Sequence, residues 1–155
     1  MQVESNPLSA RVTRVVEEST GKRVVSAATL AGGIADAKHV VLSDGTQVVV
    51  KLPKDSSDDL AVEGAAMDYL KRRTELPVPE VYYSGPDALV HEYIAADGTL
   101  SVDCEPEAAD HLAKLHAITS DSYGFDFDTL RGGVRQPNAK SAKWVPFFTQ
   151  NRLLY

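Results

Sequence analysis

Val48-Val49-Val50-Lys51 is a run with no polar face until its last residue. Side chains alternate along a strand, so Val49 and Lys51 share one face while Val48, Val50 and Leu52 share the other. A strand apolar on both faces predicts burial on both faces. The lysine that closes it has two readings. Its long stem lets an ammonium snorkel out of an apolar surface, or the charge is held by a partner. Glu63, twelve residues on, falls in a predicted helix with Ala66, Met67 and Leu70 along the same stripe. Its carboxylate is therefore expected to face the core. An unpaired buried charge is very costly, so an inward glutamate implies a cation or a raised pKa. A glutamate tilted toward solvent is the plainer reading. Each of the two residues is a candidate partner for the other.

Patterning around this run predicts an α+β chain. Asn6-Pro7 reads as a helix start, Leu8, Val12, Val15 and Val16 follow at helical spacing, and Gly21 is a stop. Residues 24–30, 38–43 and 46–52 read as three antiparallel strands. Asp44-Gly45 signals a two-residue hairpin turn in which both central positions want positive φ. Asp58 or Asp59 is a cap for a helix over 60–73, whose terminal Lys71-Arg72-Arg73 complements the helix dipole. Pro77 and Pro79 open an extended segment. Residues 81–84 and 88–94 read as two more strands joined by Gly85-Pro86-Asp87. Residues 95–100 form a short linker and 107–118 a second long helix, with Ala108, Leu112 and Leu115 on one stripe. Residues 120–143 read as irregular, and a final helix is expected near Trp144. The organisation is a five-stranded antiparallel sheet with a packed helix over 1–94, a hinge at 95–100, and the start of a helical part over 101–155.

A chain of 155 residues, 43% apolar and 25% charged, is ordinary for one sizeable core. Net charge −6 carries no nucleic-acid footprint. Cys104 is the single cysteine, so no intrachain disulfide is possible. That fits a reducing, cytoplasmic setting. Met1 to Ser9 lacks the apolar run of a secretory signal. No stretch approaches the roughly eighteen apolar residues of a membrane span.

Ala31-Gly32-Gly33-Ile34-Ala35 separates the first two strands. Two glycines there let the backbone approach a ligand closely, and successive N–H groups can cradle an anion. The spacing matches neither a Walker loop nor a dinucleotide fingerprint, and a plain turn is the simpler reading. None of His39, His91, His111 and His116 is followed by Gly-Asp or Arg-Asp. His91 reads as a packed histidine and His116 as a helix-end residue. Asp126 and Asp128 read as a solvated turn, with a metal pair as the alternative.

The glycine loop, the lysine on the next strand and the glutamate on the following helix come in the order of the phosphate clamp of protein-kinase-like folds. Further on stand Tyr123-Gly124-Phe125-Asp126, Gln136-Pro137-Asn138, Trp144, Phe147-Phe148 and Arg152-Leu153. With this series the chain resembles the fructosamine (ketosamine) kinase family, relatives of the aminoglycoside phosphotransferases. The resemblance implies a kinase-like N-terminal lobe over 1–94 and the beginning of a C-terminal lobe after the hinge. It implies that Gly32 and Gly33 lie over phosphates, that Lys51 contacts the α- and β-phosphates, and that Glu63 holds Lys51. His91-Glu92-Tyr93-Ile94 would be the hinge strand, with the Glu92 carbonyl and the Ile94 N–H on the adenine edge and Tyr93 between them. ATP and Mg²⁺ would be the cofactors. The reaction implied is phosphoryl transfer to a sugar hydroxyl of a ketosamine, free or on a glycated protein, and hence deglycation.

In that family a His-Gly-Asp-type loop ending in Asn and a later Asp-Pro motif supply the base and the metal ligands. Neither motif occurs in these 155 residues, so no catalytic or metal-binding residue is assigned and no turnover is expected from the chain alone. It reads as a fragment, an interrupted reading frame or one part of a split protein. Trp144, Phe147 and Phe148 are expected to form an exposed aromatic patch that favours self-association. Two other readings stay open. One is a small-molecule kinase of the aminoglycoside or choline type, against which the Gln-Pro-Asn and Trp-Phe-Phe series argues. The other is a non-catalytic nucleotide-binding or interaction module.

Overall fold

Ser9 caps the first helix, its Oγ accepting a hydrogen bond from the Val12 N–H at 3.3 Å. This helix, α1 (Ala10–Thr20), ends on Gly21 at φ 70, a left-handed position suited to glycine. The expected start at Asn6-Pro7 lies outside the residues that this computed structural model describes, which are 8–30, 36–54, 59–95, 102–131 and 133–154. Leu8, Val12 and Val16 recur every fourth residue and are buried, so one stripe of α1 faces inward.

That stripe packs on a five-stranded antiparallel sheet of β1 (Val24–Thr29), β2 (Asp36–Leu42), β3 (Gln47–Leu52), β4 (Val81–Ser84) and β5 (Leu89–Glu92), in the order β1-β2-β3-β5-β4. The core on this side is Val40, Leu42, Val48, Val50, Ala88 and Val90 with the α1 residues. Burial of β3 on both faces is corrected here. Val48 and Val50 are fully buried, whereas Val49 and Lys51 are only half-buried. α1 closes one face of β3, and on its other face Val49 and Lys51 stay partly open.

The hairpin between β2 and β3 also differs from expectation. Val41 pairs with Gln47, and the Leu42 N–H bonds to the Thr46 carbonyl at 2.8 Å. The loop is therefore Ser43-Asp44-Gly45, and only Gly45 has positive φ, at 84. A glycine bulge after an ordinary turn does the work expected of a two-residue turn. Asp44 is freed to cap: its carboxylate accepts from the Thr46 N–H at 3.0 Å and pairs with Lys22 at 2.7 Å. The Lys22 ammonium, then the Thr46 donors, hold the Asp44 carboxyl down at about 2 from its ordinary 3.8. A depressed acid contributes stability above its unfolded pKa and loses it as pH falls through the folded value. The hairpin contribution is thus expected to fade between pH 3.8 and about 2. In an NMR titration Lys22→Ala should move the Asp44 midpoint back up; an unmoved midpoint would leave the Thr46 bonds as the sole cause.

Asp59 caps the next helix through its Oδ1, 3.2 Å from the Val62 N–H. This helix, α2 (Leu60–Arg73), lies against the open side of β4 and β5 at Gly64. A Cβ built there would meet Ser84 Oγ at 2.2 Å and Leu89 Cδ1 at 3.1 Å. Ser84 Oγ in turn donates to the Leu60 and Ala61 carbonyls at 3.3 and 3.2 Å. A missing side chain and a short hydroxyl thus set how closely helix and sheet approach.

By contact the chain falls into two compact units, Met1–Asp68 with Pro79–Ala95, and Tyr69–Val78 with Ala96–Tyr155. The second unit contains α3 (Glu105–His116), β6 (Thr129–Arg131), β7 (Val134–Gln136) and α4 (Trp144–Phe148), which runs into a π-helical turn at Thr149–Leu153. The β6–β7 hairpin stands where the sequence reads as irregular. None of the residues of α3 is buried, so the stripe of Ala108, Leu112 and Leu115 does not enter a core. The aromatic patch is corrected in one member. Trp144 is 50% and Phe148 37% exposed, but Phe147 is 6% exposed, lying beneath the Arg152 guanidinium at 5.0 Å.

The second unit is tied together by Asn138, which is 5% exposed. Its Nδ2 donates to the Phe127 carbonyl at 3.0 Å and Thr129 Oγ1 at 3.1 Å. Its Oδ1 accepts from Arg152 at 2.6 Å, and Arg152 also donates to the Pro137 carbonyl at 2.7 Å. Its N–H reaches Asp128 at 2.9 Å. Gly124, at φ 108, lies so close that a Cβ would meet the Asn138 carbonyl oxygen at 2.7 Å. Gln-Pro-Asn and the distant Arg-Leu are therefore parts of one structural knot. Asp126 and Asp128 are ion-paired with Lys140 at 2.9 Å and Arg135 at 3.0 Å, which accords with a solvated turn.

Candidate functional site

Three strands and one helix bring the candidate residues of the first unit to the sheet face opposite α1. Ala37 pairs with Lys51 and Lys51 with Leu89, while His39 pairs with Val49 and Val49 with His91. Paired residues in a sheet share a face, so Lys51, Leu89, His39, Val49 and His91 form two adjacent rows on that face. Gly64 of α2 rests on Leu89. Its neighbour Glu63 is thereby delivered to Lys51, the strand partner of Leu89.

Lys51 Nζ donates to both carboxylate oxygens of Glu63, at 2.5 and 2.6 Å. The structure thus joins the two charges that the sequence left with separate explanations. It corrects the position of Glu63, whose side chain is 40% exposed, against 21% for Lys51. The carboxylate lies at the margin of the α2 contact, not inside a core. Ala66, Met67 and Leu70 are also only half-buried, and Leu60 and Gly64 are the buried residues of α2. Water screens such a pair, so its contribution to folding is at most about 1 kcal/mol. What the pair fixes is the position of an ammonium that still faces solvent.

His91 stands beside this pair, half-buried, with Nδ1 2.9 Å from the Glu92 carbonyl oxygen. The acceptor requires that Nδ1 carry the proton. Burial pushes the imidazole below its ordinary value; the Glu92 hydrogen bond opposes this, the Lys51 charge adds to it, and the Glu63 charge opposes it. A neutral ring results at neutral pH.

At the end of β5 the backbone alternates. The Glu92 N–H bonds to the Glu80 carbonyl at 2.8 Å and the Tyr93 N–H to the Gln47 carbonyl at 3.2 Å. Ile94 is 55% exposed. Its N–H makes no hydrogen bond among the described residues. Glu92 carbonyl and Ile94 N–H, two residues apart in extended chain, fall on the same side of the strand. Gly32 and Gly33 lie outside the described residues. The strands on either side of them are held at Thr29 paired with Lys38 and by the Leu30 N–H on the Ala37 carbonyl at 2.9 Å.

Sequence reasoning missed Lys38. Its ammonium, in a residue 8% exposed, is satisfied by Asp36 at 2.6 Å and Thr29 Oγ1 at 3.2 Å. It faces the α1 side with Val50, its strand partner, and is a structural lysine. The signal for it was the alternation of Asp36, Lys38 and Val40 on one face.

A small antiparallel sheet with an ion-paired lysine on its third strand and a glutamate on the following helix defines the kinase-like class of folds. An ADP-bound aminoglycoside phosphotransferase is similar in fold, with TM-score 0.53 and 20% identity over 74% of this chain and 42% of that one. Within the class the chain belongs to the fructosamine kinase family, whose model matches residues 8–155. It is 32% identical over 120 residues to the probable ketoamine kinase of Pasteurella multocida, covering 73% of this chain and 42% of that protein. A solved structure assigned as a fructosamine-3-kinase from Thermobifida fusca superposes with TM-score 0.78 at 26% identity, over 92% of this chain and 51% of that one. The chain spans about half the length of the relatives it matches.

Among the described residues no helix is long and apolar enough to cross a membrane, and no group of three His, Cys, Asp or Glu side chains is placed to hold a metal ion.

Proposed function

We propose that this chain supplies the nucleotide-gripping part of an ATP-dependent kinase that phosphorylates ketosamines, including glycated proteins, and so acts in deglycation in the cytoplasm. The observation that carries this reading is the Lys51–Glu63 pair on the open face of the sheet, on the strand beside the one that ends in Glu92 and leads to the exposed Ile94. When bound, ATP supplies the phosphoryl group. The chain supplies position and charge. Glu63 fixes the Lys51 ammonium, which neutralises the α- and β-phosphates. The Glu92 carbonyl accepts from the adenine amine, the Ile94 N–H donates to the ring nitrogen beside it, and Tyr93 spaces the two. Gly32 and Gly33 complete the phosphate contact from the loop between β1 and β2. Residues 1–94 and 101–155 act as two lobes about a hinge at 95–100.

The purified 155-residue chain is expected to bind ATP and to transfer no phosphate to a ketosamine, because its histidines lack the Gly-Asp continuation of a catalytic loop. Titration with ATP and a phosphate-transfer assay with a fructosamine read the two parts separately. Absence of binding sinks the nucleotide reading; measurable transfer sinks the assignment of catalysis to other residues. The exposed rings of Trp144 and Phe148 support self-association, which gel filtration at two concentrations tests.

A further inference from the structure

Tyr93 leaves β5 held at both backbone and ring. Its N–H donates to the Gln47 carbonyl at 3.2 Å. Its ring lies on the His39 imidazole, centroids 4.3 Å apart and planes 43° apart. His39 Nε2 is 2.7 Å from Gln47 Oε1, an acceptor, so the ring donates there. Gln47 thus grips Tyr93 twice, directly through its carbonyl and indirectly through His39.

Strand register makes this arrangement. His39 pairs with Val49, and Gln47 precedes Val49 by two residues on the same face, the face of Lys51. The opposite face is already closed by Val48 and Val50 against α1. Gln47 is exposed, and His39 and Tyr93 are half-buried, so the trio adds little apolar burial to folding. It fixes instead the direction in which the chain departs from the sheet, and with it the two peptide groups flanking Tyr93.

We propose that His39 and Gln47 are positioning residues for purine recognition: by holding Tyr93 they orient the Glu92 carbonyl and Ile94 N–H, and so set preference for an amino-purine over an oxo-purine triphosphate. The inference rests on the nucleotide reading above. Adenine offers an amine donor beside a ring acceptor, which matches a carbonyl and an N–H two residues apart. Hypoxanthine offers a carbonyl and a ring N–H, the inverse. A correctly held strand end separates the two bases; a loose one loses the bonds that adenine alone makes.

Isothermal titration of the chain with ATP and with inosine triphosphate reads this directly. The wild type should prefer ATP. His39→Ala should weaken ATP about five- to tenfold, the worth of one hydrogen bond, and leave inosine triphosphate nearly unchanged. His39→Phe keeps the ring contact with Tyr93 and should recover most of the preference. Gln47→Ala retains the backbone acceptor and the ring contact but frees His39, and should fall between wild type and His39→Ala, as His39→Phe does. Equal weakening of both nucleotides, or a wild-type ratio in folded Gln47→Ala, overturns the proposal. Lys51→Ala separates the two levels. If it weakens ATP while the His39→Ala ratio stays at wild type, the positioning role fails alone. If it has no effect, the nucleotide reading fails and takes this inference with it.

Discussion

Replacing Lys51 by alanine is expected to weaken ATP binding by about one to two orders of magnitude, as the loss of charge-assisted bonds to phosphate requires. Folding stability should change little, because the Lys51–Glu63 pair is screened by water on the open face of the sheet. That separation distinguishes a ligand-facing lysine from a structural one. Glu63→Gln is expected to have a smaller effect, a fewfold loss, since an amide oxygen still accepts from the ammonium but no longer balances its charge. Lys51→Arg should fail to restore affinity, because a planar fork cannot take the place of a compact ammonium held bidentately by one carboxylate. ATP titration against thermal melting measures both quantities on the same samples. Unchanged affinity in Lys51→Ala, with ATP binding by the wild type established, removes the clamp assignment.

The second large effect falls on stability. Asn138→Ala removes the donors to Phe127 and Thr129 and the acceptor for Arg152. Arg152 loses one of its anchors at a half-buried site, and the Phe127 carbonyl loses its donor. Together these are expected to cost about 2–4 kcal/mol, a fall of roughly 5–10 °C in Tm. Asn138→Asp should be nearly as damaging, because it turns an oxygen toward the Phe127 carbonyl where a donor stood. ATP affinity should change far less than in Lys51→Ala. A Tm within a degree of wild type would mean that Arg152 and the surrounding turns hold the second unit without the asparagine.

These two residues also show what was legible in the sequence. The β3 run, the Asp44-Gly45 turn and the Asp59 cap are local patterns, and each produced the expected element, the turn with a different loop length. Lys51 and Glu63 were visible as charges in apolar surroundings, but each had a sufficient explanation by itself. Only their order after a glycine pair joined them, and the joining depends on Gly64, which no helical periodicity marks. The β6–β7 hairpin was illegible because strands of three residues are too short to show alternation. Asn138 looked like a loop residue; its burial comes from Arg152, fourteen positions away. The His39–Gln47–Tyr93 trio needs the registers of three strands at once, which no single stretch of sequence contains.

The two-sidedness of β3 places a constraint of parity on the chain. Val48 and Val50 close the core against α1, and Lys51 faces outward because an odd number of positions separates it from both valines. Length changes between Gly45 and Lys51 are therefore not equivalent. Adding or removing two residues preserves which face each side chain takes. Adding or removing one turns the lysine into the hydrophobic layer and two valines out to water. Among variants of this segment, even-numbered insertions and deletions should survive selection for a folded protein, and odd ones should appear only together with a compensating bulge.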